Sequence, residues 1–129
     1  MTFVYKNKTG KSTPNDDVNT NENTAKYIIN YFNPKGLFLE PCYGKGAFYN
    51  NYQGKKDWCE IKMGKDFFNY KKEVDWIITN PPFSIFDEFL LKSFEISKNI
   101  VFFCPLNKVF KGIKLDKKIR EYGDIKEIL

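Results

Sequence analysis

The 129-residue sequence contains no histidine. That removes His-based general base catalysis, Ser-His-Asp triads and His metal sites together. Cysteine is scarce too. Cys42, Cys59 and Cys104 are odd in number and widely spaced, with no Cys-x-x-Cys pair, so they indicate neither a disulfide framework nor a zinc site. Long apolar runs are missing as well: the longest, Ile100 to Cys104, is far too short for a bilayer, and the polar N-terminal region lacks the apolar stretch of a secretion signal. These absences point to a protein of the reducing cytoplasm with no membrane partner and no metal.

What is present is enough for one domain. Hydrophobic residues make up 42% of the chain, including thirteen Phe and eight Tyr, so the core must rely on ring packing. The net charge of +5 and a pI near 9.0 favour a polyanionic partner such as nucleic acid.

Residues 1–19 read as a flexible N-terminal arm. The stretch 6–24 is rich in Lys, Asn, Thr and Asp and is broken at Thr13-Pro14. The domain proper then spans 20–129. Asn23 or Thr24 is positioned to cap a helix with Tyr27, Ile28, Tyr31 and Phe32 on one face, ended by Asn33-Pro34-Lys35-Gly36. Short apolar strands are expected at 36–40, 57–61, 74–79 and 99–104, with a weaker one at 66–68. Ser84 to Ile96 reads as a helix with a Ser cap, Asp87 and Glu88 in its first turn, and Phe86, Phe89, Leu90 and Phe94 on one side. A further helix lies within 115–122, followed by a strand at 125–129. Strands alternating with helices define an α/β domain, a Rossmann-like, doubly wound, mostly parallel sheet.

Two segments carry chemistry. Glu40-Pro41-Cys42-Tyr43-Gly44-Lys45-Gly46-Ala47-Phe48 places an acid at a strand end before a turn with two glycines, where the backbone could approach a bound nucleoside. A dinucleotide loop would want a third Gly or Ala where Tyr49 stands. Glu60, at the end of the next strand, sits where such folds put the carboxylate that grips ribose hydroxyls. Asp66-Phe67-Phe68 offers an acceptor for an adenine amine and rings to flank it.

The second segment, Asn80-Pro81-Pro82-Phe83, directly follows Trp76-Ile77-Ile78-Thr79. Residues before proline are held extended and neither proline has an N–H, so the segment is stiff. The Asn80 side-chain oxygen and the Pro81 carbonyl can accept both protons of an exocyclic amine while Phe83 stacks on its ring. Two such acceptors would pull an aromatic amine toward tetrahedral geometry, restore its lone pair and stabilise the charge that develops on attack. No strong base is needed for this, which fits a histidine-free site.

These residues resemble the class I S-adenosylmethionine-dependent methyltransferases, specifically the adenine-N6 DNA methyltransferases, from about residue 20 to the end. The resemblance implies S-adenosylmethionine as cofactor, S-adenosylhomocysteine as product, and transfer of the methyl group to N6 of adenine in DNA. It makes Asn80, Pro81, Pro82 and Phe83 catalytic. It assigns the cofactor to Thr20, Glu40, Pro41, Cys42, Gly44, Gly46, Phe48, Glu60, Asp66, Phe67 and Asn80, with Glu60 on the ribose, Asp66 and Phe67 on the adenine, and the segment from Thr20 to Ala25 near the methionine end.

The chain departs from the family pattern in four places. Asn21 stands where proline is usual, Lys45 where an acid is common, and only five residues separate Glu60 from Asp66. The sequence also ends where a sixth strand should begin, so the expectation is a sheet lacking its C-terminal strands, without a target-recognition domain and with room for a partner subunit to supply one. Lys108, Lys111 and Lys114 are candidates for phosphate contacts. Alternatives are methylation of RNA adenine or protein glutamine, or a non-catalytic binding subunit.

Overall fold

The computed structural model describes residues 2–5, 19–105, 107, 109, 113–123 and 125–128. Among them six strands form one sheet: β1 (Thr2–Tyr5), β2 (Phe38–Glu40), β3 (Lys56–Trp58), β4 (Val74–Thr79), β5 (Ser97–Cys104) and β6 (Glu127–Ile128). Their order is β3-β2-β4-β5-β1-β6, and every pairing is parallel. Four α-helices, α1 (Glu22–Phe32), α2 (Ala47–Asn51), α3 (Phe86–Ile96) and α4 (Ile113–Tyr122), flank it among the described residues. None is long and apolar enough to cross a membrane.

Alternation along the strands explains the two-sided core. Phe38, Ile78 and Val101 pack with Ala25, Ile28 and Ile29 of α1 and with Phe48 of α2. Their neighbours Leu39, Ile77, Ile100 and Phe102 pack on the opposite face with Phe86, Phe89 and Leu90 of α3 and Leu115 and Ile119 of α4. Burying each of these large side chains contributes about 1.5–3 kcal/mol, so a one-residue slip that exchanged the faces would be strongly unfavourable.

Four expectations need correction. Residues 2–5 are a strand rather than part of a loose arm: β1 lies between β5 and β6, with Phe3 opposite both Phe102 and Ile128. The strand expected at 125–129 is present as β6, with β1 inserted between it and β5. The cap of α1 is Asn21, whose side chain accepts from Asn23 N at 2.8 Å, and the buried face is Ala25, Ile28 and Ile29. Tyr27 and Tyr31 instead stack on each other in solvent, 63% and 47% exposed, because their hydroxyls favour the wet side. Residues 66–68 form no strand: Asp66 Oδ1 accepts from Phe68 N at 2.9 Å and folds Phe67–Asn69 into a 3-10 turn. Ser84 does not cap α3, since it lies inside a 3-10 turn, Phe83–Ile85, that leads into the helix.

Candidate functional site

From β2 the chain moves out to β3 on one side and returns to β4 on the other. The loops leaving the carboxyl ends of β2 and β4 therefore diverge, and a crevice opens between them. A cavity of about 610 Å³ occupies this position. Its wall brings together residues far apart in sequence: Thr20, Glu40, Glu60, Asp66 and Asn80 all line it.

Glu40 anchors the floor. Its side chain is 1% exposed, and Oε1 accepts from Cys42 N at 2.8 Å and from Thr79 Oγ1 at 2.5 Å. These bonds tie the turn after β2 to the end of β4. Burial pushes the Glu40 carboxyl up to about 8, against the opposing pull of the Thr79 and Cys42 hydrogen bonds, and Glu60 nearby adds to the rise.

The glycine turn needs its glycines. Gly44 and Gly46 have φ of 57° and 82°, the left-handed region that side chains disfavour. A Cβ on Gly46 would sit 2.8 Å from the Tyr43 hydroxyl and from the Asn50 amide. On Gly44 it would press on Asn19 Oδ1 at 3.1 Å.

Glu60 holds that turn from outside, with Oε2 accepting from Gly44 N at 2.9 Å and Oε1 from Lys62 N at 3.3 Å. A carboxylate offers about four lone-pair directions, so acceptor capacity remains for a ligand hydroxyl. Asp66, half-buried, is fixed by its bond to Phe68 N. Asn80 Nδ2 donates to Thr20 Oγ1 at 3.3 Å, linking the segment before α1 to the tetrapeptide.

Of the residues expected at a site, Thr20, Glu40, Pro41, Cys42, Gly44, Phe48, Glu60, Asp66, Phe67, Asn80 and Pro82 line this one cavity. Three others do not line it. Gly46 forms the turn behind it, Pro81 is buried, and the Phe83 ring packs against the core cluster around Phe86 and Phe102. Phe83, partly buried, is flanked in sequence by Pro82 and Ser84, which do line the cavity. Lys108 and Lys111 lie outside the described residues, and Lys114 is exposed on α4 and is not among the cavity-lining residues.

The cavity also uses Asn19, Ile61, Ile85 and Phe89, which the sequence reading did not assign to it. Phe89 sits on the expected core face of α3 and lies 4.6 Å, centroid to centroid, from Phe67, so core and wall are continuous there. Ile61 and Ile85 are exposed apolar residues at turns, 71% and 38%, and exposed isoleucine next to a crevice is the sequence-invisible part of the rim.

No protein-family model, no curated protein and no solved structure matches this chain. What the fold and site define is an α/β domain with a parallel sheet, compatible with a Rossmann-like fold, and a polar-and-aromatic cavity at the carboxyl edge of β2 and β4.

Proposed function

We propose that this chain is a Rossmann-like S-adenosylmethionine-dependent methyltransferase module of the class I type, which transfers a methyl group to the exocyclic N6 amino group of adenine in DNA. The observation that carries the reading is the convergence of Asn80 with the Glu40 to Gly44 turn, Glu60 and Asp66 around one cavity.

The residues fit the cofactor. A volume of about 610 Å³ lies within the roughly 300–1,000 Å³ typical of pockets for such ligands. A ribose presents hydroxyl donors, and Glu60 is an acceptor held by two backbone N–H groups. An adenine presents an amine, and Asp66 is a fixed acceptor beside the Phe67 ring, which packs at a tilt against Phe89. The glycines at 44 and 46 keep the turn narrow. Thr20, Pro41, Cys42 and Phe48 line the same cavity and would enclose the rest of the cofactor. When bound, the sulfonium supplies an electrophilic methyl group with a good leaving group.

The chain's own contribution is to orient and polarise the acceptor. Asn80 follows β4, lines the cavity and is stiffened by Pro81 and Pro82; its amide oxygen would be one acceptor for the amine, and the Pro81 carbonyl, outside the cavity lining without a ligand, would have to reach the amine to be the second. Drawing on both amine protons, they localise the nitrogen lone pair and stabilise the positive charge formed on attack. The proton is lost to water afterwards, when the methylated nitrogen has become acidic, so no histidine is needed. A duplex adenine must leave the stack to reach this position, at a cost of a few kcal/mol. The net charge of +5 favours the DNA that carries it, and Lys108, Lys111 and Lys114 are the proposed phosphate contacts. Phe83, between the cavity-lining Pro82 and Ser84, is the proposed stacking surface for the base. A partner subunit would supply target recognition.

The test is to incubate the purified chain with methyl-labelled S-adenosylmethionine and, separately, DNA, RNA or a glutamine-containing protein, and to identify the labelled product by mass spectrometry. Label in N6-methyladenine of DNA is expected. Label only in RNA or in a glutamine amide would replace the substrate, and no label in any acceptor would overturn the reading.

A further inference from the structure

Among the described residues three large apolar side chains are both exposed and part of the cavity wall: Ile61, Phe68 and Ile85, at 71%, 38% and 38%. Ile61 and Phe68 lie between β3 and β4, beside Glu60 and Asp66, on the side assigned to the cofactor. Ile85 alone of the three follows β4, two residues beyond Phe83 and the segment proposed to receive the acceptor.

Ile85 does not serve its local structure. It occupies the N-cap of α3, with φ −125° and ψ 34°, and makes no capping hydrogen bond. N-caps favour Ser, Thr, Asp or Asn, whose side-chain oxygen accepts from one of the N–H groups the helix leaves without a partner. Ser84, one residue earlier, carries such an oxygen but lies inside the 3-10 turn. Nor is Ile85 among the apolar residues packed against either core cluster. Neither capping nor core packing accounts for an exposed isoleucine at the mouth of the cavity.

An adenine drawn out of a duplex leaves a gap between two base faces, and the lost stacking is part of the cost of extrusion. An apolar side chain set into that gap restores contact with the bases on either side. Isoleucine suits this position because its branched Cβ leaves few rotamers to lose on insertion. Charge at the mouth suits a phosphate backbone as well: Lys45 and Lys62, both exposed, line the same cavity, and the Glu60 and Asp66 carboxylates each accept from backbone N–H groups.

We propose that Ile85 is a wedge that enters the duplex beside the target adenine and fills the space the extruded base leaves. The proposal rests on the methyl-transfer reading and adds to it the form of the substrate, a base-paired adenine whose extrusion Ile85 assists.

The probe is a pool of random-sequence oligonucleotides, either made double-stranded by primer extension or left single-stranded. The rate constant kcat/KM for N6-methyladenine formation is measured on both forms with the wild type, Ile85→Ala and Ile85→Leu. Alanine removes the apolar volume and leucine keeps it. The ratio between the two forms for any one chain does not depend on how much of that chain is folded. We expect Ile85→Ala to lose about 10- to 100-fold on the duplex pool, a loss at least about fivefold larger than on single strands, and Ile85→Leu to stay within about threefold of the wild type on the duplex. Equal losses on the two forms, no loss on either, or an Ile85→Leu chain as impaired as Ile85→Ala overturns the wedge and leaves methyl transfer intact. A wild type active on single strands alone does the same. A wild type that methylates no adenine in either pool overturns the underlying reading instead.

Discussion

Thr79 and Glu40 meet across the two strands whose ends frame the cavity, with Thr79 Oγ1 donating to Glu40 Oε1 at 2.5 Å. The same oxygen accepts from Cys42 N, so one buried carboxyl joins the end of β4 to the turn after β2. The distance between the proposed cofactor loop and the proposed acceptor loop is thereby set by the protein before any ligand arrives.

That carboxyl makes stability depend on pH in a specific window. Burial raises the folded-state value from 4.5 to about 8, so between those limits the folded protein binds more protons than the unfolded chain. The contribution of Glu40 is thus fully present below pH 4.5 and is lost as pH rises through about 8, with a slope of up to about 1.4 kcal/mol per pH unit. Glu40→Gln keeps an oxygen for Thr79 and Cys42 and removes the titration. Melting temperatures measured across this range should fall more steeply for the wild type than for Glu40→Gln; parallel curves would show that Glu40 titrates normally.

The glycine turn offers a paired comparison. Gly46 and Gly64 have similar φ, 82° and 75°, but a Cβ on Gly46 strikes Tyr43 and Asn50 whereas one on Gly64 meets nothing within 4 Å. Gly64→Ala should cost only the left-handed backbone, about 1–2 kcal/mol. Gly46→Ala should cost that and a clash besides, roughly 1–3 kcal/mol more. Urea denaturation of both variants decides it, and equal losses would mean that the turn yields freely around position 46.

Glu60 holds Gly44 N, and in the proposed cofactor site it also receives the ribose. Glu60→Ala should therefore weaken S-adenosylmethionine binding at least about tenfold, equivalent to roughly 1.4 kcal/mol. Isothermal calorimetry measures this directly, and an unaltered Kd would remove Glu60 from the cofactor site.

Much of this arrangement was legible in the sequence because the decisive residues sit at strand ends. Glu40 and Asn80 each follow an apolar run that could only be a buried strand, and parallel strands put such ends on one edge. Helix α3 was equally plain from Phe86, Phe89 and Leu90. Local rules failed where a side chain decided the backbone: Asp66 turned a weak strand signal into a 3-10 turn through one hydrogen bond. Strand β1 went unread because Thr2 to Tyr5 is four residues followed by a polar stretch, and its β character depends on neighbours 99 residues away, as in the pairing of Thr2 with Val101.

In the proposed reaction Asn80 presents an acceptor to an adenine amine beside a bound S-adenosylmethionine. The most direct measurement is methyl transfer to an adenine-containing DNA duplex by the wild type and by Asn80→Ala, with cofactor Kd determined for both. The expected result is N6-methyladenine with the wild type, a loss of at least about 100-fold in Asn80→Ala, and cofactor affinities within about threefold of each other. Undiminished turnover in Asn80→Ala would contradict it.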